Sequence, residues 1–180
     1  MSPSARPNVH LISGLPCSGK TTYAIGLRAG TNCVLFCLDR WLITAFGRYA
    51  IRSVGHEEHT RRVLACRDLI WDSASELLRR SVDVILDDGF FLRDHRIRHV
   101  ELAAVVGASA TIHFIDTPLR VVRARLERRN ANLPPYNFHI DPETLQAFLA
   151  LFEEPSDAEG AELLLVRDPS ELGLIGTNVQ

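Results

Sequence analysis

Eight consecutive residues, Gly14-Leu15-Pro16-Cys17-Ser18-Gly19-Lys20-Thr21, satisfy the pattern G-x-x-x-x-G-K-[ST] at every specified position. Residue types in this order suit polyphosphate binding. Glycines let the backbone turn its N–H groups inward around phosphate oxygens with no Cβ in the way. A helix beginning near Gly19 adds its positive end to the same spot. The Lys20 ammonium is then expected to reach β- and γ-phosphate oxygens, and the Thr21 hydroxyl to coordinate Mg²⁺. Residues 14–22, through Thr22, form the expected nucleotide-binding stretch. Composition supports this: of the 20 basic residues, 19 are arginine and Lys20 is the sole lysine. The two types are close to interchangeable on an open surface but not where a compact ammonium must fit, although genome base composition can produce the same bias.

Three carboxylates and two arginines are candidates for chemistry on a bound polyphosphate. Asp87 closes the apolar run VDVIL and is the expected ligand of Mg²⁺ or its water, with Asp88 as the alternative. Asp39 follows the apolar run CVLFCL; there it can take the proton from an attacking hydroxyl, or merely cap the helix that begins at Arg40. Arg120, Arg123, Arg125, Arg128 and Arg129 crowd one helical segment. Arg125 and Arg129, four apart, share a face and are expected to swing over the transferring group as part of a lid, about 119–140. Arg125 is also expected to touch the nucleotide. For Arg120, Arg123 and Arg128 a solvated basic face near a helix C-terminus suffices.

Elements of alternating type must position these groups. Short apolar runs at 8–13, 33–38, 82–86, 111–115 and 162–166 read as strands buried on both faces. Helical patterns are expected at 21–29, 40–50, 56–80, 94–106, 119–129 and from 141 to about 152. In the longest, Val63, Leu64, Cys66, Ile70, Leu77 and Leu78 form the apolar side. Alternation of this kind predicts a parallel sheet with helices on both faces, its ligand site at the carboxyl ends of the strands, where the phosphate loop, Asp39 and Asp87 all fall. The tail after Asp168 is expected to fray.

With 46% apolar and 23% charged residues the chain reads as an ordinary single globular domain over 1–180, and the formal charge of −2 supplies no basic field for a long nucleic acid. No run is long and apolar enough for a membrane span and no signal core precedes Asn8, so a cytoplasmic location is expected. The four cysteines (Cys17, Cys33, Cys37, Cys66) show no zinc or disulfide spacing and read as reduced, mostly buried thiols. His56 and His59 read as surface residues. Trp41, Phe46, Tyr49 and Trp71 suit the core or the wall of an acceptor pocket, and Phe90-Phe91 suit that wall too.

The loop, Leu38-Asp39, Leu86-Asp87-Asp88-Gly89-Phe90, Arg125-Leu126 with Arg129-Asn130, and Phe152-Glu153-Glu154-Pro155 together carry a resemblance. From Val9 to about Glu159 the chain resembles bacterial P-loop kinase-like AAA-family ATP-binding proteins, which are similar to zeta toxins, chloramphenicol phosphotransferase and the kinase module of polynucleotide kinases. The resemblance implies a three-layer α/β core with sheet order 2-3-1-4-5, ATP and Mg²⁺, and transfer of the γ-phosphate to a small acceptor such as an antibiotic or a nucleotide-like metabolite. It implies no particular acceptor. Polynucleotide kinases carry an arginine three residues after the strand-two aspartate; here Leu42 stands there, which weighs against a 5′-end kinase and nucleic-acid partner. A nucleotide-dependent regulatory protein is the reading from another class. Guanine-specific P-loop switches usually carry Asn-Lys-x-Asp, which a chain with Lys20 as its sole lysine lacks, so ATP is expected over GTP.

Overall fold

The computed structural model describes residues 6–167. The expected tail beyond Asp168 lies outside them. The five apolar runs form strands β1 (Asn8–Ser13), β2 (Val34–Cys37), β3 (Val84–Gly89), β4 (Ser109–Asp116) and β5 (Glu162–Arg167). They pair in the order β2-β3-β1-β4-β5, all parallel, as the resemblance implied.

Strand residues of alternate parity face opposite helical layers. On one face Val9, Leu11, Val84, Leu86 and Ile112 pack with Leu42 of α2 (Leu38–Phe46), with Cys66, Ile70, Ala74 and Leu78 of α4 (His56–Arg79), and with Ala103 of α5 (Arg93–Val105). On the other, Ile12, Ile85, Ile115 and Val166 meet Ala24 of α1 (Lys20–Ala29). A third cluster joins Val122 and Leu126 of α6 (Leu119–Ala131) to Leu145 of α7 (Pro142–Leu151), with Leu15 and Cys17 packed against it. The α6–α7 segment, which contains most of the expected lid, is thereby anchored to the phosphate loop by apolar contact, each fully buried large aliphatic side chain being worth about 1.5–3 kcal/mol.

The differences from expectation that bear on the site are these. The helix expected at 40–50 begins at Leu38 and stops at Phe46, where Gly47 takes φ 74°; a separate turn, α3 (Ile51–Val54), follows. Asp39 therefore lies inside the first helical turn, where a carboxylate meets the positive end of the helix. β3 runs on through Asp87 and Asp88 to Gly89. Leu64 of α4 is 50% exposed, and Ala74 and Ser75 take its place in the buried stripe. Which α4 residues are covered depends on what packs against the helix, which periodicity in apolar residues alone does not contain.

The segment after α7 returns across the loop that follows β3. Glu153 N–H donates to the Phe91 carbonyl at 2.9 Å, and a 3-10 turn, Asp157–Glu159, places Glu159 against Arg96. The two form a bidentate pair at 2.6 and 2.7 Å with both side chains at 0% exposure. Arg96 also donates to the Phe90 carbonyl at 2.9 Å. Here Phe90 itself has φ 44°, a left-handed conformation that non-glycine residues rarely hold without outside support.

Candidate active site

The phosphate loop leaves β1 and curls into α1. Gly14 has φ +146°, and a Cβ there would meet the Ile115 carbonyl oxygen at 2.9 Å and Ser18 Oγ at 3.0 Å. Only glycine fits this close approach. Gly19, at φ 103°, is the N-cap of α1, whose first turn carries no acidic residue, so the positive helix end opens into the cleft unneutralised. Ser18 is buried, and its Oγ has no hydrogen-bond partner among the described residues; its carbonyl accepts from Thr117 Oγ1 at 2.8 Å and from Arg125 Nη1 at 3.3 Å.

Lys20 Nζ donates to the Leu15 carbonyl at 2.6 Å, bent back over its own loop. Burial pushes its pKa down, and the carboxylates of Asp87 and Asp39 resist that shift. Thr21 Oγ1 donates to Asp87 Oδ2 at 2.6 Å. Asp87 is itself buried, and desolvation raises its pKa against the pull of Lys20, Thr21 and the Cys37 thiol. Desolvation and the neighbouring Asp87 push Cys37 up to about 12. Burial and, next, the charge of Asp87 raise Asp39 to about 6, with Lys20 and Arg129 opposing.

Asp88 is held differently. Arg67 of α4 grips it through Nε at 2.7 Å and Nη2 at 2.6 Å. Burial alone would raise its pKa, yet the Arg67 guanidinium brings it below the usual carboxylate value. With both oxygens occupied by Arg67, Asp88 has less to offer a metal than Asp87, which already touches Thr21.

These groups surround one cleft of about 450 Å³. Pro16, Cys17, Gly19, Lys20, Thr21 and Thr22 line it from the loop; Gly14, Leu15 and Ser18 shape the loop from behind. Asp39, Asp87, Arg125 and Arg129 line it as well. Arg129 reaches the Phe138 carbonyl through Nη2 at 3.2 Å, while its buried Nε has no partner among the described residues. Residues that sequence reasoning did not single out complete the wall: Cys37, Asn137, Ile140 and Phe148. Asn137 and Ile140 sit where the Arg129 and Asn130 side chains tie the 132–141 loop to α6, the Asn130 amide donating to the Ile140 carbonyl at 2.7 Å. Of the two adjacent phenylalanines, Phe91 lines the cleft and Phe90 is buried in the core. Trp41, Tyr49 and Trp71 pack against the core, and Phe46 is partly exposed. His59 is half-buried against the Tyr49 hydroxyl, and His56 is exposed. Of the cysteines, Cys33 and Cys66 are buried and all four are free thiols.

Fold and loop together define a P-loop protein of the kinase type. The family model described as an AAA domain matches residues 9–155, and the chain belongs to that family. Solved structures similar to it include a kinase-designated protein from Chloroflexus aurantiacus, at 20% identity and TM-score 0.73 over 90% of this chain and 88% of that one. Kti12 from Chaetomium thermophilum, in complex with ADP-AlF3, is 17% identical at TM-score 0.65, covering 92% of each chain. A sugar kinase from a Janibacter species is 18% identical at TM-score 0.62, over 94% of this chain and 90% of that one. At such identities the likeness establishes the fold. No curated protein matches the chain. No helix among the described residues is long and apolar enough to cross a membrane.

Proposed function

We propose that the protein is an ATP-dependent phosphotransferase that moves the γ-phosphate onto a hydroxyl of a small molecule, an antibiotic or a nucleotide-like metabolite. One observation carries the reading: Asp39, a half-buried carboxyl poised at about 6, faces the same cleft as Lys20 and Asp87. Nucleotide binding alone does not require a carboxylate there, whereas a hydroxyl acceptor needs a base whose pKa is near the working pH.

The residues present suit a polyphosphate. The Gly14 turn leaves space that a Cβ would fill, Ser18 Oγ is unsatisfied, and the open end of α1 lacks a carboxylate. Lys20, released from the Leu15 carbonyl, is a compact cation for the β- and γ-oxygens. Thr21 and Asp87 would hold magnesium, which when bound would supply charge neutralisation to the leaving diphosphate. Asp39 takes the acceptor proton as the new O–P bond forms and the bond to the β–γ bridging oxygen breaks, ADP carrying off that electron pair. Arg125 and Arg129 balance charge on the equatorial oxygens. The likeness to Kti12 bound to ADP-AlF3 supports nucleotide in the loop and also supports a second reading, a nucleotide-dependent regulator.

The deciding experiment incubates γ-labelled ATP, Mg²⁺ and the protein with a panel of hydroxyl acceptors that includes an oligonucleotide bearing a 5′-hydroxyl. Label should pass to a small acceptor, Lys20→Ala should lose ATP affinity, and Asp39→Asn should lose transfer while keeping ATP affinity. Transfer at full rate by Asp39→Asn removes Asp39 from the chemistry. Nucleotide binding that changes a partner's affinity with no label transferred favours the regulator, and label on the oligonucleotide alone favours an end-healing kinase.

A further inference from the structure

Opposite the phosphate loop, at the amino edge of the sheet and on the face covered by α1, three side chains of metal-binding type converge. His10 comes from β1, Cys33 from the residue before β2, and Asp83 from the residue before β3. One ring nitrogen of His10, the Cys33 sulfur and one Asp83 oxygen all lie within 4.8 Å of one another. Strand register explains the meeting. Val34 is paired with Val84, and Val34 N–H donates to the Asp83 carbonyl at 3.0 Å, so Cys33 and Asp83 lie side by side. His10 is paired with Ile85, two residues beyond Asp83, so parity sends all three side chains to the face of Ile12 and Ile85.

We propose that His10, Cys33 and Asp83 form a binding site for one divalent transition-metal ion of the zinc class, with water as the fourth ligand. A nitrogen–sulfur–oxygen set of this kind suits a borderline-soft ion and not Mg²⁺, which demands oxygens in an octahedron. Bonds of about 2.0–2.3 Å in a tetrahedron place ligand atoms about 3.5 Å apart. From the present spread the three tips need to close by roughly an ångström, a side-chain adjustment that leaves the strands in place.

Neighbouring hydrogen bonds are arranged as a metal site requires. His10 Nδ1 is 2.9 Å from His113 Nε2, and His113 Nδ1 is 2.8 Å from Tyr23 Oη. His113 approaches from β4, on one side of β1, whereas Asp83 and Cys33 approach from the β3 and β2 side. If His10 Nδ1–H donates to His113 and His113 Nδ1–H donates to Tyr23 Oη, the His10 Nε2 lone pair faces only the Asn8 amide, which is 3.4 Å away and makes its shorter bond, 2.9 Å, to Thr111 Oγ1. This is the second-layer pattern that fixes a ligating imidazole. Asp83 Oδ1 accepts from Asn8 N–H at 2.9 Å, leaving Oδ2 for the ion. On binding, Cys33 releases its thiol proton to solvent. The ion would link β1, β2 and β3, and through His113 and Tyr23 would touch α1 three residues past Lys20.

The test uses metal-stripped full-length protein titrated with Co²⁺ alone, read by the thiolate-to-cobalt absorption and the visible tetrahedral bands, followed by displacement with Zn²⁺ against a chromophoric chelator. One equivalent should bind. Cys33→Ser should abolish the thiolate band, while Cys17→Ser, Cys37→Ser and Cys66→Ser combined should keep it. Asp83→Asn and His10→Gln should weaken Zn²⁺ binding at least tenfold, and His113→Gln about 10–100-fold as an orienting neighbour. Circular dichroism reports whether Cys33→Ser folds; if it does not, Asp83→Asn, which keeps the thiol, decides. Absence of stoichiometric Co²⁺ binding by the parent, or a band unaffected by Cys33→Ser or Asp83→Asn, overturns the proposal.

Discussion

Replacing Asp39 by Asn should make the protein more stable as it removes transfer activity. The carboxyl sits at about 6 against a reference of 3.8, a shift caused first by desolvation and then by Asp87 and already net of the attraction from Lys20 and Arg129. At 1.36 kcal/mol per unit the gap of roughly two units corresponds to about 3 kcal/mol against the charged folded form. Water entering the open cleft screens part of this, so a gain of about 1–3 kcal/mol is expected for the neutral isostere. The sign fixes the pH window. Above about 6 the carboxylate is charged in folded and unfolded chains alike, and the penalty is felt in full. As pH falls from about 6 toward 3.8 the folded form takes up its proton first, and the parent regains stability. Parent and variant should therefore differ most at pH 8 and converge near pH 4, both free of nucleotide and Mg²⁺. Urea titrations across that range provide the assay, with the midpoint moving at constant slope. Equal midpoints at pH 8, or a gap that widens on acidification, would refute the reasoning.

Four further outcomes follow from the same geometry. The kcat/KM of the parent should fall about tenfold per pH unit below about 6, because that ratio reports the free protein's base. Gly14→Ala should cost about 1–3 kcal/mol in thermal or chemical unfolding and abolish ATP binding by calorimetry, since its Cβ meets the Ile115 carbonyl at 2.9 Å. Arg129→Ala should lower kcat by about 10²–10³ with a smaller change in ATP affinity, measured by steady-state and binding assays. Glu159→Gln should destabilise by about 3–5 kcal/mol in urea, as it leaves the Arg96 guanidinium buried without its counter-charge.

Local signals in the chain were easy to read, and those spread across it were not. The loop from Gly14 to Thr21 is contiguous, and its strand and helix flank it directly. The apolar strand runs needed no tertiary information, because a strand covered on both faces has no polar side to conceal it. Asp39 was recognisable as a residue, but its place in a helical turn was not: β2 ends at Cys37, one residue before the apolar run does, and the helix starts at Leu38, two residues earlier than its pattern suggests. The separation of Asp87 from Asp88 depended on Arg67, 21 positions away on another element, and no local pattern announces such a partner. Asn137, Ile140 and Phe148 reach the cleft only because α6 and α7 fold their apolar contacts against Leu15 and Cys17. His10, Cys33 and Asp83 are brought together by parallel register, which spacing along the chain cannot express.

The buried Arg96–Glu159 pair also constrains the timing of biosynthesis. The phosphate loop, Asp39, Asp87, Asp88, Arg125 and Arg129 all leave the ribosome before Glu159 does. Until then Arg96 lacks its counter-ion, and the guanidinium that donates to the Phe90 carbonyl is not fixed. A chain lacking Glu159 should thus hold the left-handed turn at Phe90, beside the cleft, less firmly.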